Sequence, residues 1–394
     1  MNNHEPNQTE PLLNQDDFNR LIYSGVWSLL TRQRGLPPDL PSLEKAKGQS
    51  LKFLQINELN KFDQLNEKFF GLKNISPAQP SETIASYAER LFDLWRNGQR
   101  TITFYTSGST GEPVPSLHSE EMLRQEIAEA AALLPHPSRV MVTVPLLHSY
   151  GFVFGVLFPK ILNIRAIDTP PLPTIISGLM EKGDMLVTFP MLLARLQNSP
   201  PPNVTTLSAT APCPDELFQE LTQKGFASLT EIYGASETGA IAARLGPGWF
   251  KLLGYWQKAS DNHLQRKLTD GKLMPFPLPD HAKWHDDEHF RPAGRRDKAV
   301  QVGGVNVYPA KVAAVILEHK AVKECAVRLM TPQEGERLKA FVVPDPKADE
   351  QTVRRELAAW LKAKLSPPER PGSLMFGPRL PISVSGKAAD WPIR

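Results

Sequence analysis

Apolar positions in the first part of the chain recur at helical spacing. Phe18, Leu21, Ile22, Val26, Leu29 and Leu30 make one stripe of a helix that begins near Asp17 and is broken by Pro37-Pro38 and Pro41. Residues 42–75 are polar with scattered apolar anchors and show no clear period. Ile84, Tyr87, Ala88, Leu91 and Leu94-Trp95 share a face and predict a helix over 81–95, with Ser81 as its N-cap. An apolar run, Ile102-Thr103-Phe104-Tyr105, reads as a strand. Ser119 caps a third helix whose buried stripe is Leu123, Ile127, Ala130 or Ala131, and Leu134. Short strands at 139–145, 164–167, 185–189, 205–208 and 229–233 then alternate with helices at 152–162, 174–182, 191–196 and 214–223, the last closed by Gly225. That alternation predicts an α/β domain with a largely parallel sheet. Near residue 295 the pattern changes: a strand at 299–302, a helix at 308–319, a hairpin of 324–330 with 338–343, and a helix at 352–365. This is a small α+β unit of about 100 residues, a size that folds alone. The division expected is a disordered tail over 1–15, a main α/β domain over 16–294 and a second domain over 295–394.

Composition narrows the function. With 394 residues, 41% hydrophobic and 22% charged, the chain has an ordinary globular balance. A net charge of +3 without a long basic run argues against nucleic-acid and membrane-surface binding. Cys213 and Cys325 suit a reducing compartment and make no disulfide framework. The N-terminal residues lack the basic and apolar regions of a signal peptide, and no apolar run approaches a membrane span. A cytoplasmic protein without membrane insertion is expected.

Five short segments look unlike ordinary core or surface. Thr106-Ser107-Gly108-Ser109-Thr110-Gly111 carries four hydroxyls and no large side chain. Its glycines let successive N–H groups converge on an anion, although a flexible Ser/Gly connector has the same composition. His148 in Pro145-Leu146-Leu147-His148-Ser149-Tyr150-Gly151 follows a strand, the edge where open α/β sheets bind ligands, or else is a histidine satisfied within its loop. In Tyr233-Gly234-Ala235-Ser236-Glu237-Thr238-Gly239, Tyr233 offers a flat ring and Glu237 hard oxygens suited to Mg²⁺; the alternative is a turn with an exposed acid. Gly294-Arg295-Arg296-Asp297 lies at the change of pattern and reads as a hinge or a solvated linker. Gly386-Lys387 places a lysine on a glycine turn near the C-terminus.

In this order, from about residue 101 to 390, the five segments resemble the adenylate-forming superfamily of acyl- and aryl-CoA synthetases, adenylation domains and luciferases. Within it the chain is similar to the short AMP-dependent acid ligases, including those of aryl polyene pathways. The resemblance implies a layered α/β main domain and a mobile C-terminal domain. The reaction it implies activates a carboxylic acid with ATP and Mg²⁺ to an acyl adenylate, which then passes to the thiol of CoA or of a carrier-protein phosphopantetheine. It also implies roles. Thr106, Ser107, Gly108, Ser109, Thr110 and Gly111 hold the outer phosphates. Ala209 and Thr210 belong to the loop between acid pocket and adenine. Tyr233, Gly234 and Ala235 meet the adenine, and Ser236 stands near the α-phosphate. Glu237, with Thr106, serves the metal. Asp280 and Arg295 bind the ribose, and Asp297 is the hinge. Gly303 and Gly304 line the thiol tunnel. His148 stands where acid pocket and tunnel meet, and Lys387 contacts the substrate carboxylate and the α-phosphate.

The chain departs from the family pattern in four places. Val114 stands where a lysine is usual, Pro279 replaces a glycine, and the stretches before Thr106 and between Glu237 and Asp280 are short. A degenerate relative that binds a nucleotide or acyl group without catalysis, and a scaffold partner in a biosynthetic complex, are the rival readings. Glu237, Asp280, Arg295 and Lys387 together favour the ligase. No Gly-Lys-Ser/Thr follows the first loop, which excludes a P-loop NTPase. His148, Tyr150, Phe152 and Phe154 suggest an aromatic lining for the pocket of a small hydrophobic or aromatic acid.

Overall fold

The computed structural model describes residues 11–34, 43–106, 114–331, 333–381 and 389–393. Three helices, Gln15–Arg34, Ile56–Phe70 and Ile84–Arg96, pack together near the N-terminus. Their apolar faces meet around Phe18, whose ring stacks on Phe70 at 4.3 Å and tilts against Trp95 at 5.5 Å. The helix expected over 81–95 begins at Ile84, because Thr83 is extended and its hydroxyl accepts the Ser86 N–H at 3.1 Å. Glu82 bonds Arg90 instead. The tail expected over 1–15 does not include its last residues: Leu12 and Leu13 are buried, and the Leu12 N–H donates to Glu120 at 2.8 Å. Two adjacent leucines gain more by burial than a polar tail loses by ordering. Residues 1–10 lie outside the described residues.

Nine strands form the large sheet, in the order Asp280–Trp284, His289–Arg295, Phe250–Leu252, Gly239–Arg244, Ser228–Ala235, Thr205–Ser208, Asp184–Thr188, Arg139–Val142 and Arg165–Asp168. The five from Ser228–Ala235 to Arg165–Asp168 are parallel, as their βαβ alternation requires. From Gly239 onward the pairings are antiparallel. That half of the sheet, and the three-stranded sheet of Trp256–Ser260, His263–Lys267 and Leu273–Pro277, were not expected from periodicity. Most of their strands are short and half-exposed, so apolar alternation is weak, while Gly239–Arg244 is buried throughout and shows no alternation either. Ser119 caps its helix as expected, and Gly225 ends Asp215–Lys224 at φ 101°.

Contacts divide the described chain into two compact units: residues up to Thr106 with Val114–Leu278 and Ala282–Pro292, and Pro279–His281 with the residues from Ala293 onward. The second has a core of its own around Val312, Ile316, Leu338, Val353 and Leu357. It packs helices Pro309–Leu317 and Glu350–Lys364 on a sheet of Val322–Leu329, Leu338–Pro344 and Ser373–Phe376. Its most unusual interior group is Lys339, which has no exposed surface. The Lys339 ammonium donates to Glu334 at 2.7 Å, Asp390 at 3.1 Å and the Trp391 carbonyl at 2.7 Å, and so ties the chain end to the middle strand.

Candidate active site

The parallel strands deliver several candidate residues to their carboxyl edge, where open α/β sheets take ligands. The hairpin of Ser228–Ala235 with Gly239–Arg244 carries the richest segment. Its register pairs Tyr233 with Ala242 but Gly234 with Ala240, so Ile241 is an extra residue in a bulge. A Cβ on Gly234 would lie 2.3 Å from the Gly239 carbonyl oxygen, so only glycine fits there. The half-buried Tyr233 ring leans on Phe290 and Phe250, with centroids at 5.3 and 5.7 Å. At the hairpin tip the Thr238 hydroxyl accepts the Ala235 N–H at 3.1 Å and closes the turn. Ser236 and Glu237 stand half-exposed at that tip, and Glu237 has no hydrogen bond or ion pair among the described residues.

The loop after Thr205–Ser208 comes next. Ala209 is buried, and Thr210 has φ 73°, a left-handed conformation uncommon for a β-branched residue. Buried groups hold this loop. The Cys213 N–H donates to Glu231 at 2.9 Å, and Arg244 bonds Glu231 at 2.6 Å, Asp215 at 2.6 Å and the Cys213 carbonyl at 2.5 Å. Burial raises the Glu231 pKa against the pull of Arg244. Burial, with the Glu231 charge, pushes the Cys213 thiol up to about 12, so it is no nucleophile near neutral pH.

His148 is exposed and opens the helix Ser149–Phe152, its carbonyl accepting the Phe152 N–H at 2.8 Å. The helix continues through a π turn at Val153–Leu157, a widened turn that recurs at functional sites. The aromatic lining expected from His148, Tyr150, Phe152 and Phe154 is divided. Tyr150 and Phe154 pair at 5.5 Å, and the Tyr150 hydroxyl donates to the Leu207 carbonyl at 2.6 Å. Phe152 leaves from the other face of the helix and packs in the core against Phe69 and Phe104.

In the second unit Asp280, Arg295 and Asp297 come together. Arg295 grips Asp297 through two bonds, at 3.0 and 2.6 Å, and lies 3.9 Å from Asp280. The Ala299 N–H and the Tyr308 hydroxyl add bonds to Asp297 at 3.1 and 2.9 Å. Burial works to raise the Asp297 pKa, but these donors outweigh it and hold the carboxyl below its ordinary range. Lys298 beside it has φ 59°. Gly303 and Gly304, at φ 59° and 78°, form the two-residue turn joining Val300–Val302 to Val305–Val307. Ser107, Gly108, Ser109, Thr110, Gly111 and Lys387 lie outside the described residues; Thr106 ends its strand paired with Val114.

No three His, Cys, Asp or Glu side chains gather to hold a metal among the described residues. Mg²⁺ commonly takes one or two carboxylates and completes its shell with water and substrate phosphate. A lone, half-exposed Glu237 fits that ion in the company of a polyphosphate. Among the described residues no helix is long and apolar enough to cross a membrane.

Comparison with known proteins gives the geometry its family. Residues 65–277 match the family described as AMP-binding enzyme, and residues 311–387 match the AMP-binding enzyme C-terminal domain. The chain belongs to the AMP-binding enzyme family. This AMP-binding enzyme is 36% identical over 392 residues to a 4-coumarate–CoA ligase of Halorhodospira halophila, covering 95% of this chain and 99% of that protein. It is 37% identical over 336 residues to a 4-coumarate–CoA ligase of Rhodobacter capsulatus, covering 82% and 84%. Among solved structures it resembles an o-succinylbenzoate CoA synthetase variant from Bacillus subtilis, with TM-score 0.58 and 20% identity over 73% of this chain and 67% of that one. A malonyl-CoA ligase has TM-score 0.58 and 21% identity, covering 71% of each. The AMP-binding enzyme is thus an AMP-forming acid–thiol ligase, with the α/β body and small α+β unit of that fold.

Sequence reasoning missed the buried groups behind the Ser236–Glu237 turn: His118, Glu126 and Arg266. Burial chiefly lowers the His118 pKa to about 4, with Arg266 also disfavouring its charge against the bond to Ser236. Burial raises the Glu126 pKa to about 7 against Arg266 and the Ala240 N–H. The available signal was charge inside apolar stripes: Glu126 precedes Ile127, and Arg266 lies two residues from Leu264.

Proposed function

We propose that this enzyme activates an aromatic, cinnamate-type carboxylic acid with ATP and passes the acyl group to the thiol of CoA. The Glu237 carboxylate, unpaired among the described residues and set at the carboxyl edge of parallel strands beside a position only glycine can occupy, carries the reading. The names of the two relatives above support the acid class and the acceptor.

A carboxylate must approach a negatively charged α-phosphate, so neutralising charge is the central task. Mg²⁺, when bound, offsets the charge that builds on the departing pyrophosphate. Glu237 holds the metal, and Lys387 supplies the second cation to the carboxylate and the α-phosphate. Tyr233 gives the adenine a flat face, and Gly234 lets it approach the backbone. Asp280 and Arg295 take the ribose hydroxyls. The hydroxyls of 106–111 hold the outer phosphates without the lysine that Val114 replaces. The carboxylate oxygen bonds to the α-phosphorus as the bond to pyrophosphate breaks. The thiolate then attacks the acyl carbon and AMP leaves. Asp297 serves as the hinge between the two half-reactions, and Gly303 and Gly304 line the thiol's approach.

ATP–pyrophosphate exchange across cinnamate-type, benzoate-type and fatty acids tests the substrate class. Cinnamate-type acids should exchange fastest, and exchange with fatty acids alone would sink the reading. Product formation with CoA but not with a phosphopantetheinylated carrier protein is the expected acceptor result. Lys387→Ala should reduce adenylate formation by at least 100-fold, an effect of the order seen when one charge-stabilising donor is lost. It should leave thioester formation from preformed adenylate nearly intact; equal loss of both steps would remove Lys387 from this role.

A further inference from the structure

We infer that His118, together with Glu126 and Arg266, is a positioning residue of the adenylation step, fixing the turn 235–240 and with it the direction in which Glu237 offers its carboxylate. The inference rests on the reading of Glu237 as the metal ligand.

Three elements each pin one backbone group of this turn. From the strand Val114–His118, the His118 ring meets the Ser236 carbonyl through Nε2 at 2.7 Å. A carbonyl only accepts, so Nε2 carries the hydrogen and Nδ1 is bare. Nδ1 is buried without a hydrogen-bond partner among the described residues, a cost that an apolar side chain of similar size would avoid. What the imidazole adds is the single bond to Ser236, while the edge of its ring rests on Phe104 at 5.0 Å.

From the strand His263–Lys267, the fully buried Arg266 donates to the Thr238 carbonyl at 3.3 Å, to the Met122 carbonyl at 2.6 Å and to the Gln125 side chain at 2.9 Å. Its guanidinium lies 4.5 Å from the Tyr255 ring centroid, so its plane is fixed from a further side. From the helix Glu120–Leu133, Glu126 accepts the Ala240 N–H at 2.8 Å. Gly239 sits against it at φ 69°, where a Cβ would fall 2.3 Å from Glu126 Oε2.

Ser236, Thr238 and Ala240 are alternate residues, and each is held by a different part of the fold. Glu237 stands between two anchored carbonyls while its own side chain has no partner among the described residues. Among the described residues its aim is therefore set by backbone alone, and that backbone is held by these three side chains together with the Thr238 hydroxyl. A ligand whose neighbours do not restrain its side chain needs a rigid base if it is to meet the metal without reorganisation.

The test uses the full-length enzyme and four variants: His118→Ala, His118→Gln, His118→Asn and Glu237→Ala. Two readouts are taken: the Mg²⁺ concentration that half-saturates ATP–pyrophosphate exchange, and Mn²⁺ affinity in the complex with a non-hydrolysable ATP analogue, read by electron paramagnetic resonance. His118→Ala should raise the half-saturating Mg²⁺ concentration and weaken Mn²⁺ binding by about 10-fold or more, the usual scale for groups that orient a ligand. His118→Gln, whose amide nitrogen reaches the Ser236 carbonyl, should recover most of this. His118→Asn, which is too short, should not. If His118→Ala does not fold, the glutamine–asparagine contrast decides. A folded His118→Ala with unchanged metal response, or equal behaviour of the glutamine and asparagine variants, overturns the positioning role. An unchanged metal response in Glu237→Ala overturns the metal-ligand reading itself, whatever His118 does.

Discussion

At the scale of single residues, two titratable groups behind one turn oppose each other. His118 has a folded pKa of about 4 against an ordinary 6.5, so it stays neutral where the unfolded chain takes up a proton. Stability associated with it is present above pH 6.5 and is lost as pH falls through 4. Glu126 has a folded pKa of about 7 against an ordinary 4.5. Its contribution is present below pH 4.5 and is lost as pH rises through 7. Arg266 is the charged neighbour of both. Between pH 4.5 and 6.5 the two slopes have opposite signs. The unfolding midpoint in urea should therefore vary little with pH in that window for the native sequence. It should fall with rising pH in His118→Gln and rise with pH in Glu126→Gln. Parallel profiles in the two variants would contradict the assignment. Neither group stands out in the sequence, because a lone histidine at a strand end and a glutamate in a helix are ordinary. Their importance comes from burial, which depends on the elements packed over them.

Among secondary-structure elements, those that periodicity identified are the buried parallel strands and the capped helices, whose apolar runs are sharp. The antiparallel strands beyond Gly239 were illegible because most are short with one wet face. The tip between Ser228–Ala235 and Gly239–Arg244 was legible only as a motif, and its bulge not at all, since a bulge is a property of pairing. That bulge predicts the cost of change. Gly234→Ala should destabilise the protein by roughly 1–3 kcal/mol, since its Cβ would meet backbone and not a flexible side chain. It should depress exchange activity more than stability alone explains. Gly178→Ala is the control: it lies in the helix Pro173–Leu179 with nothing within 4 Å of a new Cβ. It should be neutral or stabilising by up to about 1 kcal/mol. A urea midpoint for Gly234→Ala equal to that of the native chain would show that the hairpin tip yields.

For the whole molecule, the sequence pattern changes near residue 295, and contacts divide the described chain between Pro292 and Ala293. Pro279–His281 also groups with the later residues, a non-sequential join that no linear pattern reveals. The core around Leu357 belongs to this unit alone. Leu357→Ala removes a fully buried side chain and should cost the second unit about 2–5 kcal/mol. Calorimetry should then show one shifted component and one unchanged; a uniform shift would mean that the two units unfold as one. The anchored chain end has a further consequence. Deleting Asp390 to Arg394 would spare every helix and strand among the described residues. It would still strip Lys339 of Asp390 and the Trp391 carbonyl and leave its ammonium buried with Glu334 as the surviving partner. In a cell such a deletion should behave as a loss of protein, cleared by proteases, and not as a trimmed but working enzyme.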